Sequence, residues 1–169
     1  MKRPVLLFAL LACFFSCKKS ETTPTGNNNN NNNNTSCGDG FICFKLDGTD
    51  ISKQGGGYEF ADTFLFVKYE EGTKQLSIDI FGQNTGNYTI SDKRMKGNAR
   101  IYFFPAPNNM YMAETGNLNV ASYDAPNKKI TGSFSGTLYK YDSDNETFTK
   151  TDSVVIKDGK FTNIQLSKI

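Results

Sequence analysis

The sequence predicts an all-β domain, an antiparallel β-sandwich of about ten strands, with a β-barrel as the alternative. Short apolar stretches are separated by turn residues at intervals of about 8–12 positions. Several of these stretches alternate apolar and polar residues, and no helix-length segment with a period of 3.6 occurs after residue 16. Residues 37–169 are predicted to form this single domain, which is long enough for one core.

The clearest pair of strands lies at Thr63–Tyr69 and Gln75–Phe81. The connecting segment Glu70–Lys74 is short and contains a glycine, as loops of β-hairpins commonly do. The second strand alternates apolar and polar residues, which indicates a strand that is buried on one face.

Three further strands are predicted between residues 99 and 123. Ala99–Phe104 is mostly apolar on both faces and stops before Pro105, which favours a central strand. Met110–Ala113 and Leu118–Tyr123 follow it as two short strands.

The C-terminal part begins with a long strand at Ile130–Lys140, in which Gly132 and Gly136 predict bulges or bends. The dipeptide Asp158-Gly159 is a strong signal for a two-residue hairpin. It therefore predicts two separate strands, which are Ser153–Lys157 and Lys160–Leu166.

The N-terminal segment 1–16 has the layout of a signal peptide, with two cations before an apolar run. The run is too short to span a membrane as a helix, which takes about 20 residues. Phe14-Phe15-Ser16-Cys17 resembles the relaxed lipobox of Bacteroidota lipoproteins, so Cys17 is predicted to carry the lipid. Leu10-Leu11-Ala12-Cys13 also fits a lipobox, and Cys13 is the alternative.

Residues 17–36 are predicted to be the lipidated cysteine followed by a flexible tether. Hydrophobic periodicity is absent between Ser20 and Ser36, and Asn27–Asn34 is an uninterrupted run of asparagine. Such a segment buries too little apolar surface to offset the entropy of ordering.

Cys37 and Cys43 are the two cysteines that follow the tether. Two cysteines in an exported domain are most simply a disulfide, and the glycines between them permit a tight return of the chain. Free thiols or a redox or metal pair are the alternatives, although the spacing is not C-x-x-C.

Composition points away from several classes of chemistry. The chain has no histidine, which excludes histidine-dependent triads and histidine-ligated metals. Loss of Lys2 and Arg3 with the signal leaves 17 basic and 17 acidic residues, a balance unlike that of nucleic-acid binders. Asp142, Asp144 and Glu146 could offer oxygens to Ca²⁺, but they fit a hairpin turn better. We therefore predict no enzyme activity, no catalytic residue, no metal and no cofactor.

The aromatic residues are the remaining candidates for ligand binding. After Cys17 the chain has 11 phenylalanines and 8 tyrosines, and tyrosines on a sheet face can stack on sugars. Packing within a β core is the alternative role, since strands favour aromatic residues. The candidates are Tyr102, Tyr123 and Tyr139, with Tyr111 and Tyr141 as further possibilities.

Three segments resemble small lipoproteins of Bacteroidota that carry an all-β domain of unknown function. They are Gly86–Ile90, Ile130–Gly136 and Val154–Phe161. The resemblance implies an all-β fold and a place in the cell envelope. We expect a lipid-anchored outer-membrane protein that faces the periplasm or the cell surface. Its domain would bind a glycan or an envelope protein, or would serve as a structural subunit of an envelope complex without a small-molecule ligand.

Overall fold

The computed structural model describes residues 37–61, 63–144 and 147–169. The predicted signal peptide, Cys13, Cys17, the tether and Glu146 lie outside these ranges. Within them the chain has no helix, and hence none long and apolar enough to cross a bilayer. Ten strands are present: β1 (Phe41–Leu46), β2 (Thr49–Gln54), β3 (Gly56–Phe60), β4 (Phe64–Glu71), β5 (Lys74–Phe81), β6 (Gly86–Ile90), β7 (Asn98–Ala106), β8 (Asn109–Asp124), β9 (Lys129–Asp144) and β10 (Thr147–Lys168).

The strands form one hydrogen-bonded sheet in the order β2-β1-β10-β3-β4-β5-β7-β6-β8-β9. An additional pairing of β10 with β9 closes a ring of strands, and β7 also pairs with β8. Two short pairings are parallel, β10 with β3 and β6 with β7, and the other described pairings are antiparallel. The all-β prediction is therefore confirmed, and the sheet is mixed rather than purely antiparallel.

The hydrophobic core draws side chains from strands along the whole sheet, from β1 to β9 in the strand order. Ile78 of β5, Leu138 of β9 and Phe161 of β10 are all fully buried within it. Phe44 of β1 packs against Tyr69 of β4 and Phe134 of β9, with ring centroids 5.8 Å and 5.9 Å apart. Because these contacts join β1 to strands with which it does not pair, the sheet folds over its own core in a sandwich-like arrangement, as the sequence predicts.

The two cysteines of the domain lie at the start of β1. Their sulfur atoms are at disulfide distance, and the Cα atoms are 5.7 Å apart. The intervening chain turns at Gly40, which has a φ of 79° and donates its N–H to the carbonyl of Thr162. The predicted Cys37–Cys43 pair is thus present, and it ties residue 37 to the first strand.

The hairpin predicted at Asp158-Gly159 is wrong, because β10 runs through this dipeptide as one strand. The register against β9 shifts between Ile156 and Gly159, and Asp158 has a φ of 54°. The residue types that form a tight turn thus form a bulge here. A side chain at position 159 would collide with the carbonyl oxygen of Phe134, so glycine is required for close approach.

Two further predictions about strand ends are corrected. Met110–Ala113 and Leu118–Tyr123 belong to the single strand β8, and β7 continues through Pro105 to Ala106. The bulges expected at Gly132 and Gly136 of β9 lie instead in the flanking strands, where β8 and β10 carry the extra residues.

Candidate functional site

Aromatic side chains cover one outer face of the sheet. Side chains alternate along a strand, so Leu65 and Val67 of β4 are buried in the core whereas Phe64 and Phe66 face outward. The same alternation in β3, β5 and β7 places further half-buried rings beside them. We call this set the outer aromatic face; it comprises Tyr58, Phe60, Phe64, Phe66, Phe81, Tyr102 and Phe104.

Most of these rings contact one another across neighbouring strands. Tyr58 and Phe66 are stacked, with centroids 6.2 Å apart and ring planes at 19°. Phe64 lies between Phe60 and Phe81, at centroid distances of 5.1 Å and 5.3 Å. The contacts hold the rings in place, so little side-chain entropy remains to be lost when a ligand binds.

Charged side chains border the rings. The Lys68 ammonium lies 5.6 Å from the centroid of Tyr58, and the Arg100 guanidinium lies 5.5 Å from that of Phe81. Both are within the distance of a cation–π interaction. The face therefore combines apolar ring surfaces with hydrogen-bond donors at its margins.

A groove of about 770 Å³ opens at the end of this face, a volume within the range of ligand pockets. Its floor comes from the outward side chains of β4 and β5, and its walls come from the loops that follow β5 and β6. The lining residues are Thr63, Phe64, Asp79, Phe81, Gly82, Gln83, Asn84, Arg94 and Lys96.

Backbone hydrogen bonds hold both loops beside the floor. The N–H of Gly97 donates to the carbonyl of Phe81 at 2.8 Å, which ties the β6–β7 loop to the end of β5. In the β5–β6 loop, the hydroxyl of Tyr88 donates to the carbonyl of Asn84 at 2.8 Å. The groove is therefore largely formed before any ligand enters.

The described lining carries two cations and one carboxylate. Arg94 and Lys96 are exposed, and neither forms an ion pair within 4.0 Å among the residues that the structure describes. Burial raises the pKa of Asp79, an effect that the positive charges of Arg100 and Arg94 oppose. The described part of the lining is thus net positive when Asp79 is ionised, and more so when Asp79 is protonated.

Glu59 supports the groove from the inside of β3. Its side chain is 3 % exposed, and its Oε2 lies 2.6 Å from the Lys128 ammonium. The amide of Gln83 donates to its Oε1 at 3.1 Å, and the nearby hydroxyl of Tyr123 also favours the ionised carboxylate and lowers its pKa. The hydrogen bond from Lys128 is the main cause of the lowered pKa of Glu59. Because Gln83 also lines the groove, this cluster positions one of its polar groups.

Replacing Lys128 with methionine is expected to lower the free energy of unfolding at neutral pH by about 2 kcal/mol. The loss lies below that of a fully buried pair, since Lys128 is one-third exposed. The folded-state pKa of Glu59 is lowered, so its contribution is present above the unfolded value of about 4.3 and is lost as pH falls through the folded value. Urea unfolding at several pH values should therefore show that the difference in unfolding free energy between the wild type and Lys128→Met becomes smaller in acid, where Glu59 is protonated.

The neighbouring exposed lysine offers a matched control, Lys129→Met, which should change stability little at any pH. A deficit in Lys128→Met that stays constant from neutral to strongly acidic pH would show that Glu59 is not its cause.

The tyrosines expected from the sequence are distributed between different environments. Tyr102 and Tyr139 point outward, and both lie opposite Met112 of β8, Tyr102 on β7 and Tyr139 on β9. The Lys150 ammonium lies 4.1 Å from the Tyr139 ring centroid. Tyr123 instead packs against the core, close to Glu59. Tyr111 is buried and donates to Asp152 at 2.6 Å, and Tyr141 is half-buried.

The phenylalanines of the outer aromatic face were not among the sequence-based candidates. Their signal in the sequence is the segment Thr63–Tyr69, in which both alternating sets of positions contain large apolar side chains. A strand of this kind is typical of burial on both faces, and here the rings of the second face are half-buried beside the rings of the neighbouring strand.

Within the described ranges no three His, Cys, Asp or Glu side chains are placed to hold a metal ion. The absence of metal and cofactor stays a prediction, since the suggested Ca²⁺ ligand Glu146 lies outside those ranges. In comparisons with known proteins, no protein-family model, no curated protein and no solved structure matches the chain.

Proposed function

We propose that this chain is a lipid-anchored protein of the cell envelope whose β domain binds a saccharide without transforming it. The outer aromatic face, together with the groove at its end, is the observation that carries the proposal. A pocket with an aromatic floor and a few polar groups is the usual form of a small-molecule site.

The chemistry of this face suits sugar rings. The negative face of an aromatic ring attracts the partly positive C–H groups that a pyranose presents on one side. Gln83, Asn84 and Arg94 offer donors and acceptors beside the Phe64 and Phe81 rings, as hydroxyl groups require. Asp79 is the one carboxylate among the described lining residues, whereas glycoside hydrolysis generally uses two, which favours binding over catalysis.

The anchor and the location come from the N-terminal segment. The cations, the apolar run and Ser16-Cys17 support export and lipid attachment at Cys17, with Cys13 as the alternative. Stable attachment takes more than one acyl chain, which a processed lipoprotein carries. The proposed location is the outer membrane, facing the periplasm or the cell surface.

Saccharide binding is tested on a panel of neutral and acidic oligosaccharides with the full-length protein in detergent. Phe64→Ala is expected to weaken binding about 30-fold, because truncation of an aromatic anchor costs about 2 kcal/mol. The matched control is Phe41→Ala, which removes an exposed phenylalanine of β1, a strand that contributes no ring to this face. Absence of binding to every sugar in the panel, or equal loss in both variants, would contradict the proposal.

Lipid attachment has a separate test. Mass spectrometry of the mature N-terminal peptide is expected to find acyl groups on Cys17, and Cys17→Ser should release the protein from the membrane fraction. An unmodified Cys17, or acyl groups on Cys13, would overturn this assignment.

A second candidate function is that of an accessory subunit in an envelope complex. Among the described strands, β2 pairs with one neighbour only and leaves an open edge that another chain could join. That edge is six residues long and carries Asp50 and Lys53, which discourage strand addition. The accessory role therefore ranks below saccharide binding.

A further inference from the structure

The groove beside Phe64 and Phe81 has a floor of aromatic rings, and its described lining residues carry more positive than negative charge. Arg94 and Lys96 project from the β6–β7 loop, and the hydrogen bond from Gly97 to Phe81 keeps that loop next to the floor. A neutral sugar has no group that would use two cations. An anionic ligand has a charged group that both cations could bind, and its charge would complement the net charge of the described lining.

We infer that this groove binds the acidic unit of a carboxylated saccharide, a uronate, with the sugar ring on Phe64 and Phe81 and the carboxylate at Arg94 and Lys96. This inference rests on the proposed saccharide binding and narrows the ligand from saccharides in general to polyuronates. Arginine suits this task because its planar guanidinium can donate two parallel hydrogen bonds to one carboxylate.

The other lining groups have defined parts in this arrangement. Gln83 already donates to Glu59, which leaves its carbonyl oxygen as an acceptor for a sugar hydroxyl. Asp79 lies opposite Arg100 in the register of β5 and β7, so the Arg100 charge offsets repulsion between Asp79 and a bound carboxylate. The β6–β7 loop would thus bind the carboxylate, and strands β4 and β5 would bind the sugar ring.

The test compares oligogalacturonate with its fully methyl-esterified form, in which each carboxylate is replaced by a neutral methyl ester. The full-length protein in detergent is titrated with each by calorimetry at low and high salt. We expect the acid to bind about tenfold or more tightly than the ester at low salt, because charge-assisted bonds exceed neutral ones. The preference should shrink at high salt, where exposed charges are screened.

Variants locate the preference. Arg94→Gln combined with Lys96→Gln should abolish the preference, so that the double variant binds the acid and the ester equally. Phe81→Ala should weaken binding of both probes. The matched control is Lys93→Gln in the same loop, whose side chain does not line the groove and which should retain the preference. Thermal unfolding of each variant verifies that it is folded.

The outcomes are distinguishable. Equal binding of acid and ester would overturn the inference while saccharide binding itself stands. A preference that survives in the double variant, or displacement of oligogalacturonate by equimolar inorganic phosphate, would also overturn it. Failure of both probes to bind overturns it as well, and the neutral and acidic panel then decides the proposed function separately.

Discussion

Replacing Phe161 with alanine is expected to lower the free energy of unfolding by about 3–5 kcal/mol. Its side chain has no exposure to solvent, and its ring stacks on Phe134 at a centroid distance of 6.3 Å. The substitution removes the transfer free energy of the ring and leaves a cavity that surrounding strands can fill only in part. Denaturant unfolding monitored by circular dichroism measures the loss. A lower midpoint with an unchanged m value would show that stability alone has changed.

Phe41→Ala provides the comparison, since Phe41 is 40 % exposed and its removal should cost about 1 kcal/mol or less. Phe161→Leu keeps most of the volume and remains measurable if the alanine variant does not fold. Equal losses in Phe161→Ala and Phe41→Ala would show that Phe161 is not at the centre of the core.

Gly132→Ala is expected to destabilise the domain by about 3 kcal/mol, at the upper end of the range for overpacked cores. A Cβ at this position would lie closer than 3.0 Å to the carbonyl oxygen of Asn119 and to the ring of Phe161. The ring could move, but the carbonyl belongs to the paired strand β8 and cannot withdraw without disturbing the ladder. Urea unfolding of the variant measures the effect.

Gly56→Ala is the matched control, because Gly56 also lies in a strand and an added Cβ would have no neighbour within 4 Å. Alanine there should be neutral or slightly stabilising, since it restricts the unfolded chain. If the two variants unfold at the same urea concentration, the close approach of β8 and β9 at Gly132 does not limit stability.

The sequence located strands more reliably than it located their ends. Thr63–Tyr69 and Gln75–Phe81 closely match β4 and β5, because alternation and a glycine-containing loop are local signals. The segments on either side of Asp158-Gly159 form one strand, because an Asp-Gly pair fits a bulge as well as a hairpin. Which of the two occurs depends on the register against β9, a contact between residues distant in the chain.

The candidate site was predictable only in part. Tyr102 and Tyr139 lie on outward faces, as alternation allows, while Tyr123 belongs to the buried Glu59 cluster. The groove escaped prediction because its floor and its cations come from different segments. Phe64 and Arg94 are 30 positions apart in the chain, and only the order of β4, β5 and β7 and the bond from Gly97 to Phe81 bring them together.

Local chemistry in the chain was therefore enough for the all-β class, for the inward-facing residues of the clearest strands and for the pairing of Cys37 with Cys43, which are six positions apart. Each of these follows from neighbours in the sequence, through alternation, turn residues and short loops. The tertiary structure decided the strand order, the bulges in β8 and β10, and the groove. Those features depend on which distant strands exchange hydrogen bonds, and that choice is made by the packing of the whole core rather than by any one segment.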